Sequence, residues 1–112
     1  MQDSAILDTE VVSELQEVMG QDFQMLVDSF HRDGEQRLAA LDSALAEGDQ
    51  ETFRRQAHSF KGSSGNLGAV RVYDLCLQLE SLGREGELGQ VPELLVRLRD
   101  AFEQACTALR QI

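Results

Sequence analysis

Apolar residues recur along this chain at intervals of three and four, the spacing that puts them on one face of an α-helix. Val11, Val12, Leu15 and Val18 mark a short first helix that Asp8 or Thr9 can cap and Gly20 can stop. A longer stripe follows in Phe23, Leu26, Val27, Phe30, Leu38, Leu41 and Leu45. Gly34 interrupts it at a cost of about 1 kcal/mol relative to alanine, which implies either a bend or a close contact. Gly48 and Asp49 then read as the end of one helix and the N-cap of the next. The third helix is predicted from about Gln50 to Asn66, with Phe53, Ala57, Phe60 and Leu67 on its apolar side and Gly68 closing it. A fourth, from about Val70 to Arg84, turns Val72, Leu75, Cys76, Leu79 and Leu82 inward, and Gly83 to Gly89 reads as a turn. Pro92 suits the first turn of a fifth helix carrying Val91, Leu94, Leu95, Leu98, Phe102, Ala105 and Leu109.

Four long amphipathic helices joined by short loops predict an all-α antiparallel four-helix bundle, with the short N-terminal helix capping it. No alternation of strand type appears, and a single proline with 5% aromatic residues argues against a sandwich or barrel. At 112 residues the expectation is one domain spanning residues 1–112, large enough to fold without staples. Beginning with Met and filling one domain, the chain is expected to be a free-standing protein.

Charge changes the picture of partners. Asp and Glu number 20 against 10 Lys and Arg, for a net charge of −10. Such a surface repels phosphate backbones and anionic lipid, so neither nucleic acid nor a membrane is an expected partner. The first ten residues have no apolar signal-peptide core, and no apolar run reaches the roughly 18 residues of a membrane span, so a cytoplasmic location is expected. Cys76 and Cys106 fall in apolar stripes and read as buried free thiols.

One stretch carries candidate chemistry. His58 lies roughly 140° around the third helix from the centre of its apolar face, so it should point to solvent. Lys61, Gly62 and Gly65 follow at three, four and seven residues and share its side. Two glycines in mid-helix are costly, and the simplest reason is a surface cleared beside the imidazole for another protein. Lys61 is the only lysine in the chain and stands where it could pair with an anion bound to the ring. Arg54 and Arg55 add positive charge nearby. Neutral imidazole is a competent nucleophile toward phosphorus, and the tip nitrogen of an exposed ring can attack in line. The bland alternative is a solvated histidine among solvated charges; the glycines and the solitary lysine weigh against it. His31, beside Phe30, reads as structural, and neither histidine is read as part of a zinc site. Lys61-Gly62-Ser63 lacks the upstream glycine and strand of a P-loop.

The segment Ala57-His58-Ser59-Phe60-Lys61-Gly62-Ser63-Ser64, then Leu67-Gly68-Ala69, then Leu75-Cys76-Leu77-Gln78-Leu79-Glu80 resembles the histidine-containing phosphotransfer (HPt) domains of bacterial multistep phosphorelays. The motif covers about a quarter of the chain, and the helix pattern agrees with it over the whole. The resemblance implies that His58 accepts a phosphoryl group from an aspartyl phosphate on a receiver domain and passes it to an aspartate of a response regulator. It implies that Lys61 stabilises the phosphoryl oxygens and that Gly62 gives the receiver's loops room. Ser63, Ser64 and Gly68 would be packing positions. Glu80 falls where some relatives carry a glutamine that orients the histidine; a carboxylate there could accept from the inner ring N–H but would repel phosphate. Arg84, one turn on, could offset that repulsion. Gly65 departs from the alanine common in the family, which weakens the helix end and leaves the chemistry unaffected.

On this reading His58 and Lys61 carry the chemistry, while Gly62, Gly65, Arg54, Arg55, Glu80 and Arg84 face the partner. No kinase or hydrolase activity, no bound metal and no cofactor are expected; Mg²⁺ would belong to the partner receiver. A monomer is expected, docking receivers through apolar residues on the first and second helices over less than about 1,200 Å². The competing reading is an adaptor that binds receivers without covalent chemistry.

Overall fold

The computed structural model describes residues 5–112; the expectations resting on residues 1–4 lie outside that range. Five α-helices follow one another: α1 (Thr9–Met19), α2 (Phe23–Glu47), α3 (Gln50–Asn66), α4 (Val70–Glu85) and α5 (Val91–Arg110), with a single 3₁₀ turn over Gly20–Asp22 between the first two. No strand occurs among the described residues. Each long helix reverses on the one before it, so α2 to α5 form the antiparallel four-helix bundle that the periodicity predicts. Helix α3 packs between α2 and α4, and α5 closes the bundle against both.

The caps explain the boundaries. The Asp8 side chain accepts from the backbone N–H groups of Glu10 and Val11, satisfying donors that the first turn of α1 leaves open. Gly48 takes the left-handed conformation, φ 68°, and the next residue, Asp49, caps α3 by accepting from the Thr52 N–H at 3.1 Å. Gly68 (φ 76°) turns the chain from α3 to α4. A Cβ there would press on the Asp8 carbonyl and the Val11 side chain, because the Asp8 N–H donates to the Gly68 carbonyl at 2.7 Å. That contact seats the start of α1 on the α3–α4 corner.

Inside, Phe30, Phe60 and Phe102 from α2, α3 and α5 meet with ring centroids 5.4 to 6.5 Å apart. Gly34 faces the same cluster. An added Cβ would run into the Phe102 ring, so this glycine marks a close helix approach, and α2 passes through it unbroken. His31 is half-buried with its ring stacked on Phe102, which is the structural role expected of it. Glu35 stands four residues on, 3.6 Å from its Nε2. Even so, no group of three potential metal ligands gathers anywhere among the described residues.

Three expectations need correction. Val18 is 85% exposed, because α1 is a single short helix that meets the bundle chiefly at α2 and buries only Val12 fully; Val11 and Leu15 are half-buried. Gly83 belongs to the last turn of α4, where lack of a side chain lets Phe53 and the Arg54 backbone close in. The turn itself begins at Gly86 (φ 75°). Leu26, Leu45, Leu75 and Leu82 border the core as half-buried residues. Both cysteines are free and buried, as expected, and burial pushes their thiols up to about 12 for Cys76 and about 11 for Cys106.

Candidate functional site

The centre of the candidate site is a buried carboxylate. Helix α4 turns Val72, Cys76, Leu79, Glu80 and Gly83 inward at the three-four spacing, so Glu80 occupies a position on the buried stripe. Its side chain is only 5% exposed, and three basic groups surround it. His58 of α3 places Nδ1 2.8 Å from Oε2, and Arg84, one turn further along α4, places Nη2 3.2 Å from the same oxygen. Lys61 of α3 brings its ammonium 2.8 Å from Oε1; the approach is that of an ion pair, outside hydrogen-bonding alignment. Burial alone would raise the Glu80 carboxyl, but the Lys61 ammonium and the His58 hydrogen bond outweigh it and hold the group below its usual value. Glu80 is therefore an anion at neutral pH.

That anion fixes the imidazole. A carboxylate can only accept, so the short contact requires the ring proton on Nδ1. The lone pair then sits on Nε2, at the tip of a side chain that is 63% exposed. Imidazole orientation and tautomer thus follow from one residue on the neighbouring helix. The sequence placed Glu80 opposite the ring only through the family resemblance; its fall on the 72, 76, 79, 80, 83 stripe is a second signal that the periodicity already contained.

The other expected site residues divide. Gly62 has open space where a Cβ would be, one turn from His58, and is the cleared surface that the sequence predicts. At Gly65, itself exposed, the Tyr73 ring of α4 lies 3.1 Å from where a Cβ would be, so close approach of this ring is a reason for the glycine within the fold. Arg54 and Arg55 both turn to Glu51, at 2.9 and 3.8 Å, so the basic patch they were expected to form is partly neutralised from within the helix. Arg54 also lies within electrostatic reach of Glu80. Lys61 is only 19% exposed and lies on the α4 side of the ring, paired with Glu80. Ser64 is buried as a packing residue, and Ser63 is half-buried with its hydroxyl donating to the Phe60 carbonyl. Between α2 and the C-terminal half of α3, Leu26, Phe30 and Leu67, with Asp33, Ser63 and Asn66, border an open groove of about 250 Å³. No helix of the described residues is long and apolar enough to cross a membrane.

Comparison with known proteins agrees with this geometry. Residues 25–111 match the Hpt domain family. No curated protein matches the chain. Among solved structures, histidine-containing phosphotransfer protein B (HptB) from Pseudomonas aeruginosa PAO1 is similar, with a TM-score of 0.92 and 39% sequence identity. The similarity covers 97% of this chain and 95% of that one. Matched over most of its length in sequence and nearly all of it in structure, the chain belongs to the Hpt domain family.

Proposed function

We propose that this chain is a phosphorelay intermediate whose Nε2 of His58 takes a phosphoryl group from an aspartyl phosphate of one receiver domain and delivers it to an aspartate of another. The observation that carries this reading is the 2.8 Å contact between Nδ1 and Glu80, which leaves a lone pair on the exposed tip nitrogen. In the forward step that lone pair forms an N–P bond while the P–O bond of the acyl phosphate breaks and its electrons leave with the aspartate carboxylate. The receiver would contribute the Mg²⁺ that neutralises the phosphoryl oxygens, and this chain would contribute a positioned imidazole and the Lys61 ammonium beside it.

The face on the α2 side of His58 fits the docking of a receiver. Gly62 leaves room next to the ring, and Val18 and Met25 expose apolar side chains on α1 and α2. Arg84 and Arg55, both well exposed, edge the site with positive charge suited to an acidic partner pocket. A contact below about 1,200 Å² suits a protein that must release one receiver before meeting the next. A monomer acting in the cytoplasm, without kinase activity of its own, completes the proposal.

Intact mass after incubation with a phosphorylated receiver tests it. The expected result is one added phosphoryl group, removed by acid, stable to base and absent from His58→Gln. Binding to receivers with no mass gain would support the adaptor reading instead.

A further inference from the structure

Attack by Nε2 converts the His58 ring from neutral to cationic. The ring gives up a lone pair to phosphorus and keeps its Nδ1 proton, so the immediate product is a phosphoimidazolium. Free in water, such a ring loses that proton readily and Nδ1 then carries a lone pair. Here the atom facing Nδ1 at 2.8 Å is a carboxylate oxygen on a residue that is 5% exposed. A carboxylate has no proton to give, so loss of the ring proton would set the Nδ1 lone pair against a carboxylate oxygen held 2.8 Å away.

We infer that Glu80 keeps the Nδ1 proton on the phosphorylated His58 ring, so that the phosphoryl group is carried in the cationic form from which it leaves most readily. This rests on His58 being the phosphoryl acceptor. When the N–P bond breaks, its electron pair returns to Nε2 and the leaving group is neutral imidazole rather than imidazolate. The ring is then already the Nδ1–H tautomer, ready for the next attack with no proton moved. A glutamine in this place would behave differently, because an amide can turn either its oxygen or its NH₂ toward the ring and tolerates both protonation states.

The surrounding charges are consistent with that assignment. On α3, Lys61 faces the other carboxylate oxygen at 2.8 Å, and Arg54 is engaged with Glu51 at 2.9 Å. On α4, Arg84 shares Oε2 at 3.2 Å, and the Cys76 thiol, pushed up to about 12 first by burial and then by Glu80, stays neutral. On α2, Asp33 and Arg37 face each other at 3.5 Å, with Arg37 also donating to Gln56 at 2.9 Å. The cations around Glu80 keep it ionised, and the charge in contact with Nδ1 itself is the carboxylate.

Phosphoramidate, which transfers its phosphoryl group with loss of ammonia, can label the wild type and Glu80→Gln without any receiver, with His58→Gln as the site control. Loss of the phosphoryl group is then followed by intact mass from mildly acid to mildly alkaline pH. The expected result is rapid loss in acid for both, persisting in the wild type to a pH about one to three units higher than in Glu80→Gln, the shift that an adjacent opposite charge produces. Coincident profiles with His58 labelled would overturn the inference and leave the acceptor reading standing. Failure of phosphoramidate to label His58 in the wild type would overturn both. Ring ¹⁵N shifts of the phosphorylated wild type give a second readout independent of any variant's folding. A protonated Nδ1 at neutral to mildly alkaline pH supports the inference, and an unprotonated one overturns it.

Discussion

Helix α3 meets two different neighbours on either side of His58. Toward α4 the seam is filled from His58 onward: Lys61 pairs with Glu80, Gly65 admits the Tyr73 ring, and Arg84 reaches back to the same carboxylate, while a cavity of about 350 Å³ opens before it among Gln50, Arg54, Gly83 and Arg84. Toward α2 a groove bordered by Leu26, Phe30 and Leu67 opens between the helices, and Gly62, exposed one turn from His58, has nothing near its missing side chain. The two glycines look alike in sequence, four and seven residues after the histidine, yet one makes room for a ring of the neighbouring helix and the other has open space beside it. The difference teaches that the α4 side sets the state of the imidazole, while the room left beside Gly62 is where the proposed receiver would approach it.

The largest effect should come from the residue between the seams. His58→Gln is expected to abolish phosphorylation entirely while costing about 1 kcal/mol or less in stability, because an amide can still donate to the buried Glu80 carboxylate; mass spectrometry and a melting curve check both halves. Next, Lys61→Ala strikes the filled seam. Removing the ammonium leaves Glu80 buried with weaker compensation and should cost about 2 kcal/mol, less than a fully buried pair because Lys61 is partly exposed and Arg84 remains. The pH dependence has a definite sign. Because the folded Glu80 carboxyl is held below its unfolded value, its stabilisation is present above about pH 4.3 and is lost as pH falls through the lower folded value. The stability gap between wild type and Lys61→Ala should therefore shrink on acidification. A gap that is constant or widens in chemical denaturation would break the assignment of Glu80 as the seam's anion.

The glycine pair gives a smaller and more direct contrast. Gly62→Ala should stabilise the helix by about 1 kcal/mol, because the new methyl meets nothing. Gly65→Ala should gain little or nothing, since Tyr73 must shift by a few tenths of an ångström to admit it. Gly62→Gln should slow transfer from a receiver while leaving phosphoramidate labelling of His58 unchanged. Equal slowing of both would mean that the room beside Gly62 is not where partners dock. Smallest of all, Arg84→Ala should cost about 0.5 kcal/mol or less, because its guanidinium is largely exposed and screened by water.

Much of this architecture was legible in the pattern of residues. The caps at Asp8 and Asp49, the stops at Gly20 and Gly48, and the stripes of α2 to α5 all follow from local chemistry, and they stand where that chemistry puts them. The outward turn of His58 was legible for the same reason, since a residue far from an apolar stripe faces water. What the sequence misassigned depends on tertiary contact. Gly83 carries the same local signal whether it breaks a helix or lets Phe53 approach one, and only the neighbouring helix decides. Val18 has the spacing of a buried residue on a helix that has too little bundle beneath it to cover that position. The need for a glycine at position 65 likewise has a tertiary reason, since α3 and α4 pack closely enough for Tyr73 to use the space. Arg54 and Arg55 carry the local signal of a basic patch, and Glu51, one turn before both, partly cancels it.

The turn between α2 and α3 also bears on how the bundle assembles. Gly48 and Asp49 end one helix and begin the next with no residue between them, and only a few residues separate α3 from α4 and α4 from α5. Segments that must meet are thus close along the chain, so little entropy is lost in bringing them together before contacts form. Chains wired in this local fashion fold on the microsecond to millisecond scale. A nascent copy should therefore reach its working shape soon after synthesis.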